Sequence, residues 1–458
     1  MRRALERVFH LKAQGTTPGR ELLAGVTTFL VMAYIIFVNP TILTLTGVAE
    51  GKGPDFLATV TATCLVAGIM SILMGCYTNY PLAIAPGMGL NAVVAYQLVV
   101  DLGLPWPAAM GVITLEGAVV GLLVLTGFRE AAMAIVPLSL KRAIGVGIGL
   151  FILFIGLVSG GLVKPGKGVP LTLGDLDTFP VLVALTSLSI TLILLAWRVQ
   201  GALLWGMLVA TAIAVLMNLW QGSTVFPPVV AVIPERWLAF PDFSTLGKGL
   251  DFRVFTYLGA LSATMLIFSI MLADFFDTMG TVIGIGGEAG WFDEKGRLPR
   301  LNRILLVDSL GAFFGGICSS SSATTYIESA AGVSVGGRTG LTAVTTGCCF
   351  LLAIFFAPVA RVVPPQATAA ALIVVGFLMC RVVREIPFSD LEEGFPALMT
   401  MTVMPFTYSI TNGIGAGILT YVFLKTLTGK RREVHGLLYV IAAAFLLYFL
   451  FPVGQGES

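Results

Sequence analysis

The sequence contains little charge and almost no histidine. Only 11% of its 458 residues are Asp, Glu, Lys or Arg, whereas soluble domains carry about 25%. The two histidines, His10 and His435, lie near the chain ends, so histidine cannot form a proton relay inside a membrane. The six cysteines form no CxxC pair, which argues against a disulfide framework or a zinc site. These shortages exclude an ordinary soluble domain and leave carboxylates as the groups that would handle protons.

Long apolar runs recur from one end of the chain to the other. Hydrophobic residues make up 57% of the chain, and the mean hydropathy is +0.94. Runs such as Leu22–Val38 and Val181–Trp197 approach the roughly 20 residues that cross a bilayer as a helix. We therefore predict an all-α polytopic membrane protein with 14 transmembrane segments and an extra apolar helix at the C-terminus. Residues 1–20 are predicted to be a cytosolic amphipathic lead-in, because they lack the apolar core of a signal peptide.

The distribution of basic residues predicts a cytoplasmic N-terminus. With that threading, 20 of the 27 Lys and Arg residues fall on the cytoplasmic side and 7 fall outside. The KRR run at 430–432 lies on the cytoplasmic side after the fourteenth span. The pattern leaves open whether residues 435–452 cross the membrane once more or lie along it.

A polar connection at residues 220–254 divides the spans into two sets of seven. Because each set contains an odd number of spans, the second set enters the membrane in the opposite orientation, which predicts 7+7 inverted repeats. Transporters built this way place their binding sites at broken helices in corresponding positions of the two halves. Broken helices at corresponding positions of the two halves would therefore indicate the binding site.

The third span of each half, spans 3 and 10, contains such a break. YPLAIAPGMGLNA (80–92) carries Pro81 and Pro86, which exclude a continuous helix. SSSATTYIESAAG (320–332) begins with hydroxyl and β-branched residues, which favour extended chain, and then opens a helix at Glu328. We predict a short strand and a half-helix in each span. The strands should face each other, because non-helical backbone at that depth must be buried in protein or line a wet cavity.

Glu328 is the strongest candidate for a binding residue. An acidic group at the bilayer centre costs about 2.5–3.5 kcal/mol, and the positive end of a half-helix offsets part of that cost. Its carboxylate could accept hydrogen bonds from a ring N–H or an amine of a ligand. The alternative is that Glu328 only caps the helix or pairs within the bundle.

A second group of acids lies in LADFFDTMGTVIGIGG (272–287). The spacing places Asp274, Asp277 and Thr281 on one helical face. That face either meets Glu328 across a pocket or forms a helix-packing network. Glu116 and Asp308 lie in or near apolar spans without a broken helix beside them, and we interpret both as structural.

Three motifs resemble a known family. APGMGLNA (85–92), FFDTMGT (275–281) and TTYIESAAG (324–332) match, in order and spacing, the azaguanine-type branch of the nucleobase/ascorbate transporter superfamily, which comprises adenine, guanine and hypoxanthine permeases. The resemblance implies a core domain, a gate domain that moves against it, and a purine held between the two strands. It also implies a homodimer, formed through the gate domains, in the cell membrane.

The resemblance also divides the chain and places the site. The core domain covers 21–127 and 255–358, the gate domain covers 128–219 and 359–430, and the segment 431–458 follows. Substrate binding is carried over to Glu328, Asp277, Thr325, Tyr326, Ile327, Ala83, Asn91 and Thr281. Tyr326 and Ile327 are expected to offer backbone groups to the base, with Ala83 on the opposing strand and Asn91 and Thr281 supporting the pocket. From the residues alone, Asn91 is equally consistent with a helix–helix hydrogen bond.

Proton symport follows from the two acids in the predicted pocket. A carboxyl group that binds the base better in one protonation state couples the proton to the base, and no cluster of sodium ligands stands out. Asp277 is the preferred proton carrier, Glu328 the constant acceptor and Asp274 a third coupling acid; no metal or cofactor is predicted. The alternatives are a uracil or xanthine permease, an anion exchanger of the same fold, or an intramembrane enzyme. The enzyme is disfavoured because the chain lacks an HExxH motif.

Overall fold

The structure, a computed structural model, describes most of the chain. The described residues are 2–46, 48–126, 135–166, 168–220, 226, 230–234, 236–293 and 297–450, with the backbone alone at 2–5 and 288. Parts of the predicted gate domain and of the connection at 220–254, and the end of the predicted C-terminal segment, lie outside these ranges.

Helices make up most of both halves. Those of the first half are α1 (Arg2–Phe9), α2 (Pro18–Met32), α3 (Ile35–Leu43), α4 (Phe56–Thr78), α5 (Met88–Ala92) with a π-helix over Val93–Asp101, α6 (Trp106–Thr126), α7 (Leu138–Ser159), α8 (Phe179–Ala196) and α9 (Ala202–Trp220). Those of the second half are α10 (Val254–Ala289), α11 (Leu301–Ile317), α12 (Ser329–Ser334), α13 (Gly340–Ala353), α14 (Ala357–Ala360), α15 (Pro365–Met379), α16 (Leu391–Phe406), α17 (Ile410–Leu427) and α18 (Gly436–Leu450). Short 3-10 turns cover Ile354–Phe356, Cys380–Glu385 and Arg431–Glu433.

Ten membrane-spanning candidates occur among the described residues. Each is long and apolar enough to cross a bilayer, which confirms the prediction of a polytopic membrane protein. The predicted C-terminal apolar helix is also present as α18, which packs against α17 through Phe445 and Gly415. The first predicted span is two helices, α2 and α3, because the chain leaves helical hydrogen bonding at Ala33 and Tyr34. That break positions the Tyr34 side chain.

The predicted strands of the two broken spans are confirmed. β1 (Ile84–Pro86) pairs antiparallel with β4 (Ala323–Thr325), with Ile84 opposite Thr325 and Pro86 opposite Ala323. A separate hairpin joins β2 (Val163–Pro165) and β3 (Leu171–Leu173). The β1–β4 pair is fully buried, so its backbone groups satisfy each other where water cannot.

The helices pack in two groups around these strands. In one group, the most extensive contacts join α4 to α13 and α6 to α11. In the other, they join α7 to α15 and α16 to α17. Glycines permit the first group to approach closely: a Cβ atom added at Gly75 would lie 2.2 Å from the Gly340 carbonyl oxygen. Larger residues at such contacts would push the backbones apart.

Glu21 fastens the start of α2 to the start of α13. Its buried carboxylate accepts hydrogen bonds from the Arg338 N–H at 2.9 Å, the Thr339 hydroxyl at 2.8 Å and the Thr342 hydroxyl at 2.7 Å. We expect Glu21→Ala to lower the free energy of unfolding by about 2–3 kcal/mol, because it leaves these donors buried without an acceptor. Unfolding in detergent measures this. Glu50→Ala, in the exposed loop before α4, is the control, and equal stability of the two variants would contradict the role of Glu21.

Candidate substrate-binding site

Glu328 lies where strand β4 gives way to helix α12. It occupies the N-cap position of α12, yet its side chain makes no capping hydrogen bond. Instead, its Oε1 accepts a hydrogen bond from the Tyr34 hydroxyl at 2.6 Å. The Glu328 side chain is partly exposed, whereas Tyr34 is buried. The carboxylate is therefore held by a tyrosine and reaches an open crevice, rather than serving as a helix cap.

Asp277 faces the same crevice from helix α10. It is partly exposed, receives no hydrogen bond from the described part of the chain, and lies within electrostatic range of Glu328. A Cβ atom added at Gly280 would meet no atom within 4 Å, and one at Gly284 would meet only the Ile327 Cδ1 at 3.8 Å. The Ile327 side chain is 46% exposed. These residues line an open crevice between α10 and the start of α12.

The backbone beside Glu328 offers one donor to a ligand. The Tyr326 N–H, expected to serve the base, donates instead to the Ala83 carbonyl at 3.0 Å, and the Tyr326 hydroxyl donates to the Pro86 carbonyl at 2.5 Å. Tyr326 thus extends the strand pairing, and its contact with a base stays a prediction. The Ile327 N–H has no acceptor in the described part of the protein. The donor role expected for both residues remains available at Ile327.

Two further predicted residues hold the strands. The Ala83 N–H donates to the Ser329 hydroxyl at 3.0 Å, which fixes the end of β1 against α12. The Thr325 N–H and hydroxyl both donate to Asp308 Oδ1 at 2.8 Å, so this side chain is directed at α11. Ala83 and Thr325 are both buried. Both residues make contacts that set the position of the strands, and their contact with substrate stays a prediction.

Asn91 and Thr281 are also buried behind the crevice. The Asn91 amide donates to Asn39 Oδ1 at 2.9 Å, and the Asn39 amide donates to the Thr63 hydroxyl at 2.8 Å. Of the two interpretations of Asn91, the helix–helix hydrogen bond is the one present. Thr281 follows Asp277 by one turn and is buried.

Asp274 does not share the crevice with Asp277. It is buried and accepts a hydrogen bond from the Ser322 hydroxyl at 3.1 Å, just before β4. Its electrostatic partners are Glu116 and Asp308 as well as Asp277. Of the two alternatives for this helical face, the packing network is the one that Asp274 forms here, and its role in proton coupling stays a prediction.

The comparisons with known proteins assign the family. Residues 19–415 match the family described as the Permease family. The chain belongs to this family. It is 42% identical over 449 residues to the adenine permease AdeP of Escherichia coli, covering 98% of this chain and 96% of that protein. It is 37% identical over 450 residues to the guanine/hypoxanthine permease PbuG of Bacillus subtilis, covering 97% of this chain and 99% of that protein.

The family resemblance read from three motifs is thereby confirmed. The protein is a membrane permease, and the intramembrane enzyme is excluded. In fold, the permease resembles the transmembrane domain of the cyanobacterial bicarbonate transporter BicA, with a TM-score of 0.61 at 15% identity over 87% of this chain and 97% of that one. At that identity the likeness shows the fold alone.

Tyr34 is the site residue of the permease that sequence reasoning missed. It lies in the run TTFLVMAYIIFV, in which it is the single hydroxyl-bearing aromatic residue. A phenol within an apolar span needs a hydrogen-bond partner, and that requirement was the available signal. Nothing in the sequence identifies Glu328, 294 positions away, as the partner.

A second cavity of the permease lies at the far end of the π-helix that follows α5. It has a volume of about 560 Å³ and is lined by Tyr96, Asp101, Ser159 and Tyr408, among others. Tyr408 lies between α16 and α17 and packs its ring against Phe154, with the centroids 5.2 Å apart. The residues that line this cavity include none of those that line the crevice at Glu328.

Proposed function

We propose that this permease imports purine nucleobases: adenine, guanine, hypoxanthine or a subset of them. The observation that carries the proposal is the partly exposed Glu328 carboxylate, held by Tyr34 beside Asp277 and the unused Ile327 N–H. The names of the relatives AdeP and PbuG support the same substrate class.

The donors and acceptors of the crevice fit a purine. The ring N–H groups of a purine base can donate hydrogen bonds to an ionised carboxylate. Its ring nitrogens or its carbonyl can accept a hydrogen bond from a backbone N–H. Charge-assisted hydrogen bonds of this kind are stronger than neutral ones. The apolar Ile327 side chain offers a surface to the flat ring. Uracil and xanthine carry N–H groups as well, so a permease for those bases is the second candidate.

Fourteen spans in 7+7 inverted repeats account for the helices. Ten are long helices, and the other four are the β1–α5 segment, the 17-residue α11, the β4–α12 segment and the 16-residue α16. The core domain comprises 21–127 and 255–358, and the gate domain comprises 128–219 and 359–430. The excess of basic residues on one side supports a cytoplasmic N-terminus in the cell membrane. The gate domains join two copies into a homodimer.

Transport proceeds by alternating access with proton symport. The gate domain moves against the core and exposes the site to one side of the membrane at a time. Asp277 takes up the proton, and Glu328 holds the base. Coupling requires that the protonated and ionised forms of the site bind the base differently.

Uptake of five radiolabelled bases tests the substrate class. In cells lacking their own base permeases, we expect accumulation of adenine, guanine or hypoxanthine. It should exceed the accumulation of xanthine and uracil at least about tenfold, because a site disfavours a base that leaves its buried polar groups without hydrogen-bond partners. A protonophore should abolish the accumulation. Uptake dominated by uracil or xanthine would favour the second candidate, and uptake of none of the five would contradict the proposed class.

A further inference from the structure

Three carboxyl groups are buried together behind strand β4. They belong to Glu116 on α6, Asp274 on α10 and Asp308 on α11, with exposed fractions of 0%, 1% and 4%. They lie outside the crevice that contains Glu328. An uncompensated charge at such a site is costly, so each group needs a partner or a proton.

Among the described residues, two of the three acids have hydrogen-bond donors and the third has none. Asp274 accepts from the Ser322 hydroxyl, and Asp308 accepts from the Thr325 N–H and from the Thr278 hydroxyl at 2.6 Å. Both side-chain oxygens of Glu116 are buried without an N–H or O–H partner in the described part of the chain. A fully buried carboxyl group without a donor has to be explained.

The group within hydrogen-bonding reach of Glu116 is the carboxyl group of Asp274. An ionised carboxylate only accepts hydrogen bonds, so this contact becomes a hydrogen bond when one of the two groups carries a proton. Two adjacent carboxylates cannot both be charged without strong repulsion. Glu116 and Asp274 therefore act as one unit of two carboxyl groups and one shared proton.

The unit is connected to the strands that form the substrate site. Asp274 holds the Ser322 hydroxyl, and the Ser322 carbonyl accepts the Gly87 N–H at 2.8 Å, next to β1. Ser322 directly precedes β4, and β4 leads to Glu328 three residues after its last residue, Thr325. A change at Glu116 can therefore reach Glu328 through this chain of contacts, and through Asp308, which holds Thr325 of β4.

We propose that Glu116 is a positioning residue, which shares a proton with Asp274 and so keeps β4 and Glu328 in place during transport. The titratable groups that face Glu116 are Asp274 from α10 and Asp308 from α11; Asp277 faces Asp274 and Asp308 from the crevice side. All are acids. When the shared proton leaves at alkaline pH, the two carboxylates repel each other, the Asp274 carboxylate and the Ser322 that it holds are displaced, and transport falls.

Glu116→Gln separates this role from simple packing. The glutamine N–H₂ replaces the shared proton with a donor that does not titrate, so transport should lose its alkaline decline. Glu116→Leu removes the partner of Asp274 and should reduce transport at every pH. Glu50→Gln, an exposed loop position, is the matched control and should follow the wild type.

Exchange of radiolabelled adenine and hypoxanthine in proteoliposomes, with equal pH on both sides, excludes effects of the proton gradient. We expect the ratio of exchange at about pH 9 to exchange at about pH 7 to be at least about threefold higher in Glu116→Gln than in the wild type. Equal ratios in the wild type, Glu116→Gln and Glu50→Gln would overturn the proposal.

A second readout does not depend on the substrate. The exchange experiment rests on the proposed function, whereas thermal unfolding in detergent over the same pH range does not. The wild type should lose stability toward alkaline pH, and Glu116→Gln should lose less. If exchange fails for every variant while this difference in unfolding persists, the substrate class is wrong and the shared proton stands. If the unfolding profiles coincide, the shared proton is wrong.

Discussion

Glu328→Gln should reduce purine uptake about 100-fold, because loss of a buried charged partner costs about 3 kcal/mol. Glutamine retains one acceptor oxygen, so Tyr34 can still donate to it. Its N–H₂ group, however, would face the N–H of the purine, and two donors cannot form a hydrogen bond. Initial rates of uptake over a range of purine concentrations, corrected for the amount of protein in the membrane, measure the loss.

Two further substitutions separate binding from capping. Serine is a favoured N-cap residue, so Glu328→Ser restores a cap without a carboxylate and should be as inactive as Glu328→Gln. Tyr34→Phe removes the hydroxyl that holds Glu328 Oε1 and should reduce uptake about tenfold, as expected for one hydrogen bond to a charged group. Full uptake by Glu328→Ser would show that Glu328 only caps α12.

Asp277→Asn should abolish accumulation driven by a proton gradient. The wild type, with one proton per base and a pH difference of two units, could concentrate the base about 100-fold inside proteoliposomes, since each pH unit is worth about 1.4 kcal/mol. Asparagine cannot carry a proton. The internal base concentration should therefore not rise above the external concentration. Steady-state accumulation of labelled base under an imposed pH gradient measures this.

The control for Asp277 is Asp177→Asn, an exposed aspartate before α8, which should accumulate base like the wild type. Accumulation by Asp277→Asn at the wild-type level would contradict the role of Asp277 as the proton carrier. It would make Glu328 the next candidate for that role. Accumulation by wild type that ignores the pH gradient and follows a sodium gradient would contradict proton coupling itself.

Local chemistry made the broken spans predictable. Pro81 and Pro86 cannot continue a helix, and the hydroxyl-rich approach to Glu328 favours extended chain, so both strands follow from nearby residues. Glu328 can be recognised in the same way, because it is a single acidic residue between apolar runs. The apolar runs Leu22–Val38 and Val181–Trp197 likewise coincide with the observed helices α2, α3 and α8 to within a few residues.

Contacts between distant segments were not predictable in this way. Helical spacing places Asp274 and Asp277 near each other, but it cannot show that Asp274 is buried against Ser322 while Asp277 stays partly exposed. The register of the strands, which the sequence does not show, determines that the Ala83 carbonyl accepts the hydrogen bond of the Tyr326 N–H. The Ile327 N–H is then left without an acceptor in the described part of the protein. Glu116 and Asp308 were interpreted as structural because no broken helix lies beside them in the sequence, whereas their partners on α10 and β4 are distant in sequence.

The pairing of β1 with β4 has a consequence for synthesis of the protein. Tyr326 and Pro86, joined at the end of the pair, are 240 positions apart. The first half of a nascent chain therefore enters the membrane with the polar backbone of β1 lacking its partner, a costly state in lipid. Until the ribosome has translated β4, other protein or water must cover that segment. A chain released at its midpoint would expose the unpaired polar backbone of β1 to the membrane.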